Sequence, residues 1–306
     1  AATFDFSVTD PRTSTAFTGT VDAQGVTSGA LVIDRMRLAG TPDNGSTRLD
    51  ISADAQGTSL AANARATSSG DTQTLRLDTL RITRARTAIT LAAPATVTYR
   101  DGTATLDRLA LSVGGGTLTA QGRYGDTMDV TLDARAIPLS LAALANPALN
   151  LSGTAAASAR ITGTPAAPAG RYEVTVSRFT SPEIARAGVG PYDMRATGTL
   201  EGGRAGVNAT ISGPALSGVA ITGSVPVSQG AMDLAARGTI SLAIANTLLS
   251  TSGARASGNA VLDVRLRGTY DAPSAGGTVR ISNGRYEDAP NGVTIERIEA
   301  LLTGTD

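Results

Sequence analysis

Alternation of apolar and polar residues, interrupted by short turns, is the feature that most restricts how this chain can fold. The stretch 130–136 is VTLDARA and the stretch 262–266 is LDVRL. A period of two places the apolar side chains on one face of a β-strand and the polar side chains on the other. Turn-forming pairs such as Asp101-Gly102 and Asn283-Gly284 separate these runs. The pattern therefore predicts many short strands, each with one apolar face.

An internal repeat organises these strands. A shift of about 105 residues places the segment 153–176 on the segment 258–281, with the apolar positions in phase. Each copy contains the string Gly-Thr-x-x-Ala-Pro, which we interpret as a corner where the chain enters the sheet one layer further on. The repeat predicts one continuous repetitive β structure over residues 1–306. Two duplicated globular β domains are the alternative.

Helix signals are confined to three short segments. Two are apolar, at 137–149 and 239–250, and the third is SPEIARAG from Ser181, with a Ser N-cap followed by Pro and Glu. One or two helical turns are expected at each. The segment at Gly202, GGRAGVN, resembles a calcium-binding glycine run, but Asn208 stands where an Asp is needed, so a hairpin turn is predicted there.

Composition excludes several functions. The chain has no Cys and no His, so disulfides, thiolate zinc sites and Ser-His-Asp catalysis are impossible within these 306 residues. The 26 basic residues balance 26 acidic ones, and no basic block occurs, so no nucleic acid partner is expected. Aromatic residues make up only 3 %, which suits thin aliphatic β layers better than a thick core.

Carboxylate pairs are the enzyme chemistry that remains. Asp129 with Asp133, and Asp101 with Asp107, are close enough in sequence to suggest a glycosidase pair. Each lies on the polar face of a strand or in a turn beside Arg or Thr, so solvated surface charge is the preferred interpretation. We predict that the protein is not an enzyme and has no metal or cofactor.

Four segments together resemble a known family. They are 266–304, with its Gly-Thr, Ala-Pro and Asn-Gly-x-Tyr steps, and the strand-rich segments 75–124, 151–174 and 198–213. These are similar to the C-terminal portion of the TamB family, the inner-membrane-anchored component of the translocation and assembly module, in the AsmA-like group. The resemblance covers most of the chain and is loosest over 1–70.

The resemblance implies a fold and a setting. The expected fold is all-β: an elongated, repetitive β-taco or β-solenoid-like gutter with an apolar interior and a few short helical turns. It implies a periplasmic location in a diderm bacterium, with an inner-membrane anchor and an outer-membrane barrel partner of the TamA type. We expect this chain to be a fragment, with the anchor and the strands that meet the barrel outside it.

The preferred function is a lipid conduit in which phospholipid acyl chains slide along the apolar face. A chain of about 16 carbons gains roughly 12 kcal/mol on leaving water, at ~0.8 kcal/mol per CH₂. The candidate lining residues are Val130, Leu132, Ile161, Val174, Val176, Leu262, Val264, Leu266, Val279 and Ile281.

Two alternatives remain open. The first is a chaperone-like scaffold whose strand edges pair with unfolded outer-membrane protein clients, including barrels and autotransporters, by β-augmentation. The second is a surface adhesin built as a sealed β-solenoid, which would bind no lipid. Alternation alone does not separate a sealed core from an open groove, because both place apolar residues on one strand face.

Overall fold

The computed structural model describes residues 2–8, 17–28, 31–84, 87–145, 149–249 and 252–304. These ranges are almost entirely β-strand, with a few short helical turns, so the all-β prediction is confirmed. The strands are β1 Ala2–Val8, β2 Phe17–Ser28, β3 Leu31–Asp43, β4 Ser46–Ala55, β5 Thr58–Ser69, β6 Thr72–Arg84, β7 Thr87–Ala93, β8 Ala95–Arg100, β9 Thr103–Val113, β10 Gly116–Tyr124, β11 Met128–Pro138, β12 Ser152–Thr164, β13 Ala167–Thr180, β14 Tyr192–Glu201, β15 Arg204–Gly213, β16 Leu216–Pro226, β17 Met232–Ser241, β18 Ala254–Gly268, β19 Pro273–Asp288 and β20 Val293–Gly304.

The helices are short and lie where the sequence predicted them. They are α1 Ala142–Ala145, α2 Pro182–Ala187 and α3 Asn246–Leu249, with 3-10 turns at Leu139–Leu141 and Leu242–Ala245. The Ser181 hydroxyl caps α2 by accepting from the Ile184 amide at 3.3 Å. The hydrogen bond between the Ser181 side chain and Glu183 is the main cause of the lowered pKa of the Glu183 carboxyl. Within the described ranges, every helix is too short to cross a bilayer.

The chain forms two compact units. The first unit comprises Ala1–Ala145 with Arg160–Pro165, and the second comprises Asn146–Ala159 with Ala166–Asp306. In the first unit, β1 to β6 pair in chain order, each antiparallel to the next. β7 and β8 flank Pro94, and both pair with β6 on one side and with β9 on the other. Proline lacks the amide that a continuous strand would need there.

Within the second unit the strands are also antiparallel and pair in chain order. β13 to β20 each pair with the next strand along the chain. The turn predicted at Glu201-Gly202-Gly203 is confirmed, since β14 ends at Glu201 and β15 begins at Arg204. Strands that follow one another in the sequence are therefore also neighbours in the sheet.

The string Gly-Thr-x-x-Ala-Pro is a hairpin loop, and its interpretation as a corner between layers was wrong. Gly268 at the end of β18 pairs directly with Pro273 at the start of β19. Gly268 has φ 91°, and a Cβ there would collide with the Ala272 carbonyl oxygen, so glycine is required. Proline at the first position of a strand is tolerated because the sheet needs no further donor from it.

Asn283-Gly284 is a β-bulge and not the predicted turn. β19 runs through both residues, and its register with β20 shifts between Ile281 and Gly284. Asn283 has φ 50°, and its backbone amide donates to the Glu299 side chain at 2.9 Å. The extra residue is therefore accommodated by a local hydrogen bond to the neighbouring strand.

The two copies of the internal repeat have matching backbone features. In each, two long strands follow a strand, a 3-10 turn and one short helix: β11 to β13 in one copy, β17 to β19 in the other. Gly153 and Gly258 have φ 115° and 112°, and Arg178 and Asn283 have φ 53° and 50°. The Arg178 amide also donates to a carboxylate on the following strand, that of Asp193, at 2.9 Å. Glycine and bulge thus recur at equivalent points.

Candidate apolar binding face

One row of small apolar residues crosses the second unit from β13 to β20. Residues directly opposite each other in antiparallel strands have their side chains on the same face of the sheet. The row contains no polar side chain in any of its eight strands, and each member pairs with the next. In strand order its members are Val174, Ala196, Ala209, Ile221, Ala236, Val264, Gly277 and Gly304. We call the face that carries this row the apolar face of the second unit.

Seven of the ten predicted lining residues lie on this face. They occupy alternate positions of β13, β18 and β19, without a bulge between them and the row. Leu262 pairs with Val279, for example, and Val176 pairs with Met194. All seven are half buried. The seven are Val174, Val176, Leu262, Val264, Leu266, Val279 and Ile281.

The other three predicted residues lie in the first unit. There, Val130 ends a row that runs through β6, β8, β9, β10 and β11, and Leu132 pairs with Ala120. The Arg160 guanidinium binds the Asp129 carboxylate at 3.2 and 3.3 Å, so their chain neighbours Ile161 and Val130 both point to the opposite side. The row is Leu75, Val97, Leu106, Gly122 and Val130. Val130, Leu132 and Ile161 are half buried.

The partial exposure of these side chains bears on whether the apolar faces are sealed. All ten residues are half buried, whereas the fully buried apolar residues of the described chain are mostly alanines. Leu75 and Val97 in the first-unit row are more than one third exposed. A second packed layer would bury such side chains completely. In these stretches the faces are therefore accessible from one side.

The helix α2 closes the apolar face of the second unit at one place. Val189, Tyr192 and Ala215 are buried there, and Ile184 of α2 packs against them together with Ile211, which belongs to the apolar face. Burial raises the pKa of the Tyr192 hydroxyl, which has no hydrogen-bond partner among the described residues. α2 thus covers the face beside the row at Ile211, whereas Val174, Ile221 and Val264 of the row are only half buried.

The opposite face of the sheet is charged. Arg237 and Asp263 are cross-strand neighbours joined by an ion pair of 3.1 Å. Asp233 interacts with Arg265 at 3.0 Å and with Arg267 at 3.8 Å. Because these groups are largely exposed, each pair contributes little to stability, about 0–1 kcal/mol. The charges keep this face in water and leave the other as the apolar one.

Three of the four carboxylates in the predicted pairs form ion pairs with arginine. Asp129 pairs with Arg160, Asp133 with Arg135 at 2.8 Å, and Asp101 with Arg100 at 3.3 Å. These ion pairs engage carboxylate oxygens that a sugar-cleaving pair would direct at substrate. Across the ranges that the structure describes, potential metal-ligating side chains form no group of three or more.

Two tyrosines on the first-unit face were missed by the sequence analysis. Tyr99 of β8 and Tyr124 of β10 both pair with Ala104 of β9, and they are 47 % and 56 % exposed. Each continues the apolar alternation of its strand by one position before a turn. That pattern could have been noticed in the sequence, but their common neighbour Ala104 depends on strand register.

Comparison with known proteins assigns neither family nor function. No family model, no curated protein and no solved structure matches this chain. The accessible apolar faces and their charged reverse sides are therefore the features from which function has to be argued.

Proposed function

We propose that the protein is a lipid conduit: phospholipid acyl chains bind along its apolar face and move from strand to strand between the inner and outer membranes. The observation that carries this proposal is the eight-strand row from Val174 to Gly304, which is free of polar side chains. The protein acts as a binding surface, and no covalent step is required of it.

The dimensions of the row suit a sliding ligand. Neighbouring strands are about 4.8 Å apart, so eight strands extend the row over roughly 34 Å. The hydrocarbon core of a bilayer is about 30 Å thick and holds two opposed acyl chains, so one chain needs about half of that length. The row is therefore longer than its ligand. A chain can shift by one strand and remain on apolar surface throughout.

The side chains of the row also suit a lipid. Alanine and glycine occupy five of its eight positions, which leaves space above the sheet that larger rings would fill. Burial of an acyl chain against such a surface is favourable at ~0.8 kcal/mol per CH₂, and it requires no specific contact. Val264 and Val279 are only half buried, so this surface is accessible.

The setting is proposed from the sequence resemblance to the TamB family. It supports phospholipid as the ligand, the periplasm as the compartment, and an outer-membrane barrel of the TamA type as the partner. The chain would then form part of a path between the membranes.

The test replaces one residue on each face of the same strand. Val264→Asp places a carboxylate on the apolar row, whereas Val261→Asp, the matched control, places it on the charged face opposite Arg280. Burying an unpaired charge under a lipid chain is unfavourable by several kcal/mol. We expect native mass spectrometry without detergent to show bound phospholipid in the unaltered protein and in Val261→Asp, and at least about tenfold less in Val264→Asp.

Val279→Asp, on the neighbouring strand, provides a second test of the same face. Unchanged phospholipid in both Val264→Asp and Val279→Asp, with native circular dichroism, would contradict the conduit. A bare unaltered protein would favour the scaffold or the sealed solenoid.

The features of β20 favour a second candidate function, the chaperone-like scaffold. In the described part of the chain β20 pairs only with β19, and its Leu301 and Leu302 are 56 % and 55 % exposed. Such an edge offers unpaired backbone groups to an extended client strand. The two functions use different parts of the sheet, the edge and the face, so one substitution can separate them.

A further inference from the structure

Tyr99 and Tyr124 form a notch at the border of the first-unit apolar face. They pair with Ala104 from its two sides, so all three side chains lie on one face. With strands about 4.8 Å apart, the two tyrosine backbones are roughly 10 Å apart, and a single methyl group lies between them. The two tyrosine side chains therefore lie on either side of the Ala104 methyl group, and we call these three residues the notch.

The notch lies between apolar surface and solvent. Two residues along each strand, in the direction away from the turns, lie Val97, Leu106 and Gly122. These three residues belong to the row that leads to Val130. In the other direction β8 ends at Arg100, which pairs with Asp101 in the turn, and β10 ends at Tyr124 itself. The tyrosines thus occupy the boundary position on their strands.

Exposure distinguishes these two tyrosines from a core pair. About half of each side chain is in solvent, although both stand in the apolar register of their strands. A tyrosine ring is apolar while its hydroxyl is a hydrogen-bond donor and acceptor, so the residue is suited to a boundary at which one end is apolar and the other wet. An acyl ester presents the same change of polarity over a few atoms.

We propose that Tyr99 and Tyr124 hold the ester region of a bound phospholipid. One acyl chain passes over Ala104 and continues along the row of Leu106, Gly122 and Val130. The phenol hydroxyls donate to ester carbonyl oxygens, and the head group extends past the turns into solvent. The inference rests on the proposed lipid-binding function and adds the point at which the lipid is oriented.

Tyrosine fluorescence provides a direct measurement, because the chain has six Tyr and no Trp. The protein is titrated with phosphatidylcholine vesicles that carry a nitroxide either next to the ester or at the methyl end of the acyl chain. We expect the ester-end label to quench tyrosine emission about twofold or more beyond the methyl-end label, since Tyr99 and Tyr124 lie at the ester. Equal quenching by the two labels would overturn the inference.

The double variant Tyr99→Phe/Tyr124→Phe assigns the effect to these residues. It keeps both rings but removes their hydroxyls and nearly all of their emission. We expect the difference between labels to disappear and phospholipid affinity to fall roughly three- to tenfold, as expected for lost hydrogen bonds. The control Tyr270→Phe changes a tyrosine that is 60 % exposed and donates to the Pro226 carbonyl at 3.2 Å, and it retains the difference.

The outcomes separate the inference from the function on which it rests. If native mass spectrometry shows phospholipid on the double variant at the unaltered level and affinity is unchanged, the tyrosines do not orient the lipid, although the conduit stands. If the unaltered protein retains no phospholipid, both fail. Loss of the label difference in Tyr270→Phe as well would also contradict the assignment to the notch.

Discussion

At the scale of single residues, glycines allow strands to approach and bend where a side chain cannot fit. Gly258 has φ 112°, and a Cβ there would lie 2.8 Å from the Asn283 carbonyl oxygen. Gly153 in the other copy has φ 115°, and its Cβ would lie 2.6 Å from the Ser177 carbonyl oxygen. Both the torsion and the space exclude a side chain, so these positions need glycine for two independent reasons.

We expect Gly258→Ala and Gly153→Ala each to lower the free energy of unfolding by about 2 kcal/mol, because alanine is strained at that φ and collides with backbone. Urea denaturation followed by circular dichroism measures the change. Gly206→Ala is the control, since its Cβ would meet only ordinary contacts of 3.5 Å or more and no positive φ is involved. A loss equal to that of the control would show that the bulges are not constrained as described.

At the scale of elements, β20, like β1, has a described partner strand on one side only. We expect prolines at Leu301 and Leu302 to abolish binding of an extended outer-membrane strand peptide, if the scaffold function is correct. Alternate residues direct their amides outward, so one of the two prolines removes a donor that the client needs. Fluorescence anisotropy of a labelled peptide measures the binding.

The apolar face supplies the control for this experiment. Val264→Asp alters the face and leaves the β20 backbone untouched, so peptide binding should persist in that variant. Peptide binding that survives both prolines, or that is lost in Val264→Asp, would exclude edge pairing as its basis. Lipid content measured on the same variants should show the opposite dependence.

Strand alternation predicted the elements well, but it could not predict how glycine and proline are used between them. Asn283 and Asp101 both precede a glycine and both have positive φ, 50° and 48°, yet Asn283-Gly284 is a bulge within β19 and Asp101-Gly102 is a hairpin turn. The local sequence does not distinguish them, because both structures need a positive φ at the residue before the glycine.

The candidate faces were predicted in part for a related reason. The alternation indicated which side of each strand Val174 and Val264 occupy. Their position in one row depends on five strand pairings between them. The alternation alone does not give the register of any of these pairings. The tyrosine notch was not predicted for the same reason. Tyr99 and Tyr124 become neighbours of Ala104 through the registers of two strand pairings, β8 with β9 and β9 with β10.

At the scale of the whole molecule, sequential strand pairing predicts that damage stays local. Gly277 of β19 has φ 116°, and any Cβ there collides with the Asp263 carbonyl oxygen of β18, so Gly277→Val should disrupt β19. In an array whose repeats contact only their neighbours, stability is a sum of local terms. We expect amide hydrogen exchange in β18 to β20 to accelerate at least about tenfold and exchange in β4 to β6 to remain unchanged.

The range of strands in which hydrogen exchange accelerates distinguishes one continuous repetitive structure from two duplicated globular domains. If the repeat were two duplicated globular domains, each copy would unfold cooperatively, so Gly277→Val would accelerate exchange equally over β17 to β20, the strands of its own copy. In a continuous repetitive structure the acceleration falls with distance from β19, so β17 should stay better protected than β18. Gly206→Ala, measured alongside, gives the baseline for a glycine change that strains no backbone. Equal acceleration over β17 to β20, with unchanged exchange in β13 to β16, would therefore favour duplicated domains and leave the conduit without the local strand-by-strand construction assumed for it.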